Sequence, residues 1–160
     1  AEQRGLVCPA RGVSPPSAAV APDLPDLNVW LALAWPGHPH HSRAAAYWED
    51  MASSQVLFCT VTVLGLLRLL SQSKVMGSAC LTLPAASDVL RGFTSQPGVA
   101  VVDGGLAAID MLHNLLERQD LASKDITDAH LAALAIAHGW RLVTFDRGFG
   151  RFDGLAWLEP

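Results

Sequence analysis

DITDAHLAALAIAHGWRLVTFDRGFGRF, residues 125–152, holds a complete helix–turn–strand unit with acidic residues toward both ends. Asp125 or Thr127 can cap a helix, because a side-chain oxygen there accepts from backbone N–H groups that lack a partner within the helix. Residues 129–137 are almost all helix-forming and apolar, and Gly139 supplies the left-handed residue that commonly ends a helix. Residues 140–145 read as a short buried strand, followed at once by Asp146 and by a loop holding Gly148 and Gly150. A helix of about ten residues is roughly 15 Å long, and a strand of about five or six spans a similar distance. If the helix runs down and the strand runs back, Asp146 returns to the level of Asp128. The two carboxylates can then share one rim.

Working outward, further strands are expected over residues 54–60 and in VAVVD, which ends at Asp103. Helices are expected from Thr60 or Thr62 through Leu70, from Pro84 to about Phe93, and from the Gly104–Gly105 pair through Glu117. Another follows the GHPHH loop, capped by Ser42 and packing Tyr47 and Trp48. The helix ending LLRLL is apolar almost all round, so it reads as buried on most faces and Arg68 within it wants a partner. SQSKVMGSACLTLP reads as a loop carrying Lys74. DLPDLN, residues 23–28, allows two readings. One is a short strand ending near Asp26 with a helix beginning by Asn28; the other is a loop into a helix, since Pro22 and Pro25 weaken a strand. Alternating strands and helices imply an α/β fold with a mainly parallel sheet covered on both faces.

The 160 residues suit one domain, with 51% hydrophobic and only 16% charged residues. Residues 1–22, rich in Pro, Ala, Gly and Ser, read as a flexible extension preceding a domain over 23–160, and not as a signal peptide. A net charge of −4 argues against broad nonspecific nucleic-acid binding but leaves room for a local basic groove. Cys8, Cys59 and Cys80 form no metal or disulfide pattern, which favours the cytoplasm. Arg68 interrupts the longest apolar run, so no membrane anchor is expected. The histidines His38, His40 and His41 read as a loop, with no carboxylate at ligand spacing.

Ligands of open α/β sheets bind beyond the carboxyl ends of the strands. Asp26, Asp128 and Asp146 can all be placed at that edge. Converging carboxylates without matching cations repel one another, and oxygen-only clusters of this kind hold Mg²⁺ or Mn²⁺. Phosphodiester hydrolysis is the leading reaction class. Lys74, Arg147 and Arg151 are the loop cations best placed to meet RNA phosphates. The histidines of GHPHH are further candidates for RNA contact.

The chain also resembles the PIN-domain toxins of the VapC type. The resemblance rests on DLNVWLALAWPGHPHHSRAA, the helix ending LLRLL, VMG, ITDAHLAALAIAHG and LVTFDRGFGRFDGL, in that order. It implies a PIN-like three-layer fold and a metal-dependent ribonuclease serving as the toxin of a bacterial toxin–antitoxin pair. An antitoxin whose tail covers the acidic pocket is then the partner, with apolar helix faces and five tryptophans suited to homodimer and antitoxin contacts. By the same resemblance Asp26 and Asp128 are metal ligands, Asp146 completes the pocket, and Asn28 and Thr144 orient it. Family members often carry a glutamate about five residues before the arginine that here is Arg68; this chain has Val63. Asp125 could compensate, and Arg68 could neutralise the carboxylates or support the core. Two other readings remain: a PIN fold kept as a binding module with weak or lost hydrolysis, and a phosphoryl-accepting receiver using Asp103.

Overall fold

Val56–Cys59 is apolar at all four positions, and successive strand side chains point to opposite faces. Val56 and Phe58 enter one core, Leu57 and Cys59 a second. Such a strand needs helices on both sides. The computed structural model, which describes residues 5–6, 8–10 and 20–160, shows that arrangement. The strands are β1 (Asp23–Pro25), β2 (Val56–Cys59), β3 (Val99–Val102), β4 (Arg141–Val143) and β5 (Trp157–Leu158). All pair in parallel, in the order β3-β2-β1-β4-β5.

One face is covered by α1 (Leu27–Ala34), α2 (His41–Ala46), α3 (Thr60–Leu70), the short α4 (Ser73–Met76) and α5 (Leu83–Thr94). Trp30 stacks on Phe58 at 3.7 Å between ring centroids, with Trp48 and Phe93 edge-on to Trp30. The other face is covered by α6 (Gly105–Arg118) and α7 (Ile126–His138), with Leu131 and Leu134 packed over Leu24, Leu57 and Leu142. Among the described residues no helix is long and apolar enough to cross a membrane. The expectation for residues 1–22 falls largely outside the described residues; within it, the Pro9 carbonyl accepts from Trp48 Nε1 at 3.2 Å.

Four local readings are corrected or resolved. Residues 23–25 are a central strand in spite of Pro25. Asp23 N–H donates toward β2, to Gln55, and Asp26 N–H donates toward β4, to Val143. Alternation turns the proline nitrogen toward β2, where registered pairing ends at Asp23↔Val56, so no ladder bond is lost. Helix α2 begins at His41 without a side-chain cap, so Ser42 does not start it. The segment after α3 is not simply loop, since it forms α4 and a 3₁₀ turn over Gly77–Ala79. Finally, α3 is less enclosed than its composition suggests. Leu64 is 61% exposed and Arg68 lies on the exposed face, where its charge is hydrated and needs no buried partner.

Asp23, the first residue of β1, is fully buried. Its carboxylate accepts from Arg141 Nε at 2.7 Å and Nη2 at 3.0 Å, from the Tyr47 hydroxyl at 2.8 Å and from Ser53 N–H at 2.8 Å. Four donors from three other segments converge on one side chain. Removing one partner of a buried ion pair typically costs about 3–5 kcal/mol, because the other charge loses its compensation. Asp23→Ala is therefore expected to destabilise the fold by about 3 kcal/mol or more in urea denaturation; a loss below about 1 kcal/mol, the worth of a surface pair, would contradict the anchor.

Candidate metal centre

The strand order places a switch point between β1 and β4, since the chain leaves β1 toward β2 and returns on the opposite side as β4. Ligands of open α/β sheets bind outside the carboxyl ends of the strands at such a point. Asp26 stands at the end of β1 as N-cap of α1, its Oδ1 accepting from Leu27 N–H at 2.6 Å. Asp146 stands just beyond β4 and caps the 3₁₀ turn Arg147–Arg151, its Oδ1 accepting from Gly148 N–H at 2.7 Å. A Cβ at Gly148 would lie 2.9 Å from that same oxygen, so glycine is what lets the backbone come so near the carboxylate.

Thr144 ties the two strand ends together. Its buried hydroxyl donates to Asp26 Oδ2 at 2.9 Å and accepts from Asp146 N–H at 3.0 Å and Asn28 Nδ2 at 3.1 Å. Asn28 also donates to Asp26 Oδ2 at 2.8 Å, while its Oδ1 accepts from Phe145 N–H at 3.2 Å. Asn28 and Thr144, both singled out from the sequence, thus hold Asp26 in one rotamer.

Asp128 lies in the first turn of α7, whose following residues Leu131–Ala135 are buried. Burial pushes the Asp26 carboxyl up to about 6, against the bonds from Thr144 and Leu27, with repulsion from Asp128 and Asp146 adding to the rise. Burial and then Asp146 raise Asp128, opposed by Arg151. The three carboxylates thus act on one another across one edge. Asp125 is at the N-cap position of α7 without bonding that helix. Its Oδ2 instead accepts from Ala122 N–H at 2.9 Å, and Arg151 lies 3.4 Å from its Oδ1.

The other candidates separate. Val63 packs against the first core and supplies no ligand. Arg68 and Lys74 are exposed and make no ion pair among the described residues. Arg147 bonds Glu159 at 2.8 Å, as Arg43 does at 3.0 Å, and these two arginines hold the Glu159 carboxyl down at about 2. Glu159 carries no local signal in the sequence, since its partners Arg147 and Arg43 lie 12 and 116 residues away. His40 stacks on Phe145 at 4.5 Å, and His41 Nδ1 lies 2.7 Å from the Ala32 carbonyl, so the histidine loop braces the strand end beside Asp146. Asp103 follows β3 at the sheet edge, not a central strand, which removes the receiver reading.

Oxygen-only donors that repel one another fit a hard divalent cation. Among the described residues, however, no three His, Cys, Asp or Glu side chains are gathered tightly enough to ligate one ion. Asp26 and Asp146 are fixed by hydrogen bonds, whereas Asp128 leans on Arg151, at 3.3 Å. Asp26, Asp128 and Asp146 are the residues that would hold the ion.

A profile described as the PIN domain matches residues 24–155. Ribonuclease VapC33 of Mycobacterium tuberculosis is 31% identical over 139 residues, covering 86% of this chain and 96% of that protein. Ribonuclease VapC41 of the same organism is 37% identical over 138 residues, covering 81% and 92%. Among solved structures, VapBC2 from Rickettsia felis bound to a promoter DNA fragment matches with TM-score 0.63 at 17% identity, covering 86% and 97%. M. tuberculosis VapC20, described as a sarcin–ricin loop cleaving toxin, matches with TM-score 0.61 at 20% identity, covering 84% and 98%. These two structures share the fold.

Thr144→Val keeps the side-chain volume and removes all three hydroxyl bonds. Outer-shell losses of this kind typically weaken metal binding by about 10–100-fold. Calorimetric Mn²⁺ titration of the variant is expected to show a loss in that range, and unchanged affinity would show that Thr144 does not position the site.

Proposed function

Because the chain belongs to the PIN domain family, we propose that it is a metal-dependent endoribonuclease, the toxin of a bacterial toxin–antitoxin pair. What supports this reading is that Asp26, Asp128 and Asp146 repel one another beside the switch point of a parallel sheet. Mg²⁺ is the natural ion for such ligands, with Mn²⁺ a close substitute. When bound, it supplies Lewis-acid polarisation of a phosphoryl oxygen and of the attacking water. Asp26 and Asp128 hold the ion, Asp146 completes the pocket, and Asn28 and Thr144 keep Asp26 from turning away. A cytoplasmic RNA is the substrate, and an antitoxin covers the same edge.

RNA cleavage with Mg²⁺ or Mn²⁺ tests the reaction. Asp128→Asn is expected to reduce cleavage to background while the fold is kept; cleavage equal to wild type would overturn the assignment.

Asp26 supplies the pH dependence. Its carboxyl is raised from the ordinary 3.8 to about 6 in the folded chain. Folding therefore favours its protonated form, and that stabilising contribution, present below 3.8, is lost as pH rises through about 6. A divalent cation needs the ionised form and restores stability only where that form prevails. The Mn²⁺-induced rise in melting temperature is expected to be large at about pH 7.5 and to have largely vanished by about pH 5. An equal rise at both would remove Asp26 from the ligand set.

Homodimerisation belongs to the same proposal, but none of the five tryptophans is exposed. Apolar surface is offered instead by α6, where Leu106 (80% exposed), Ile109 (53%) and Leu116 (43%) form one stripe, opposite the buried Ala108 and Leu115. Leu106→Asp with Ile109→Asp is expected to convert a dimer to monomer in light scattering; a dimer surviving both changes would place the contact elsewhere.

A further inference from the structure

The turn that fixes Asp146 also delivers a cation to Asp128. It begins at the Asp146 cap and ends at Arg151, whose Nη2 lies 3.3 Å from Asp128 Oδ2 and 3.4 Å from Asp125 Oδ1. Two supports hold it there. The guanidinium carbon lies 4.9 Å from the centroid of the Phe152 ring, which is 3% exposed, and Gln119 Nε2 donates to the Arg151 carbonyl at 3.4 Å. The other arginines near the strand ends are committed elsewhere: Arg43 and Arg147 to Glu159, Arg141 to Asp23.

We infer that Arg151 is the resident counter-cation of the acidic edge, holding Asp125 and Asp128 until a divalent cation displaces it. The inference rests on the proposed metal site and adds a competitor to it. While its Oδ2 is engaged by the guanidinium, Asp128 has one carboxylate oxygen fewer to offer an ion. This fits the absence, among the described residues, of any three ligand side chains gathered for one ion. The pair is also able to yield. Arg151 and Asp128 are 38% and 35% exposed, and partly exposed ion pairs are weak and screened by salt. A divalent cation brings twice the charge into the same space. The displaced guanidinium remains beside Phe152 at the rim, free of carboxylates and able to meet an RNA phosphate. In this way Arg151 disfavours metal loading when RNA is absent and gains a partner when RNA arrives.

Mn²⁺ titration of the EDTA-stripped full chain tests this without reference to activity. Arg151→Met keeps apolar packing on Phe152 and removes the charge; Arg151→Gln also removes the charge, should the methionine variant fold poorly, and Arg151→Lys keeps it. The neutral variants are expected to bind Mn²⁺ about tenfold more tightly than wild type, the order expected when a unit like charge leaves a partly exposed site. Arg151→Lys should stay near wild type. The neutral variants should also melt lower than wild type without metal and equal it with saturating Mn²⁺. Binding by wild type with unchanged or weaker affinity in the neutral variants overturns the inference alone. Absence of Mn²⁺ binding in wild type and variants alike overturns the carboxylate site, and the inference with it.

Discussion

One hydroxyl holds the functional edge in register. Thr144 Oγ1 receives Asn28 and the Asp146 backbone and gives its proton to Asp26, so the end of β1, the start of α1 and the end of β4 share one atom. The neighbouring strands of a parallel sheet are hydrogen-bonded only through their backbones, and that ladder stops where the strands end. Beyond it β1 passes into α1 and β4 into the 3₁₀ turn. The Thr144 bridge extends the order of the sheet past its last rung, and there the carboxylates stand. Asp23 does the corresponding work at the opposite end, where Arg141, Tyr47 and Ser53 clamp the start of the same two strands.

The edge is acidic in a chain that is already acidic, with net charge −4. A polyanionic substrate approaches such a surface only if its charge is met locally. Among the described cations near the edge, two arginines are drawn aside by Glu159 and a third leans directly on the carboxylates. At this edge Arg151 is the cation that meets the carboxylates, and it opposes the rise at Asp128. Val63 belongs to the core and adds no charge to this edge.

The closing helix and strand were legible because their signals are local. Gly139 ends α7 at φ 66°, and the chain returns through β4 to Asp146, whose charge is felt at Asp128. The first strand was only half legible. Whether Pro25 is tolerated depends on which neighbour its nitrogen faces, and that is a fact about register with β2, not about residues 23–28. Asp23 carried no signal at all, since its partners lie 24, 30 and 118 residues away. The apolar run of α3 misled in the other direction: composition gives the amount of apolar surface, while packing decides that Leu64 stays outside.

Asp26, Asp128 and Asp146 are proposed to hold one divalent cation at the β1/β4 switch point. Anomalous scattering from crystals grown with Mn²⁺ measures this directly. A single peak within about 2.0–2.3 Å of oxygens from Asp26 and Asp128, with Asp146 beside it and Arg151 moved off Asp128, is the predicted result. A peak elsewhere, or none at saturating Mn²⁺ with Arg151 still seated on Asp128, would contradict it.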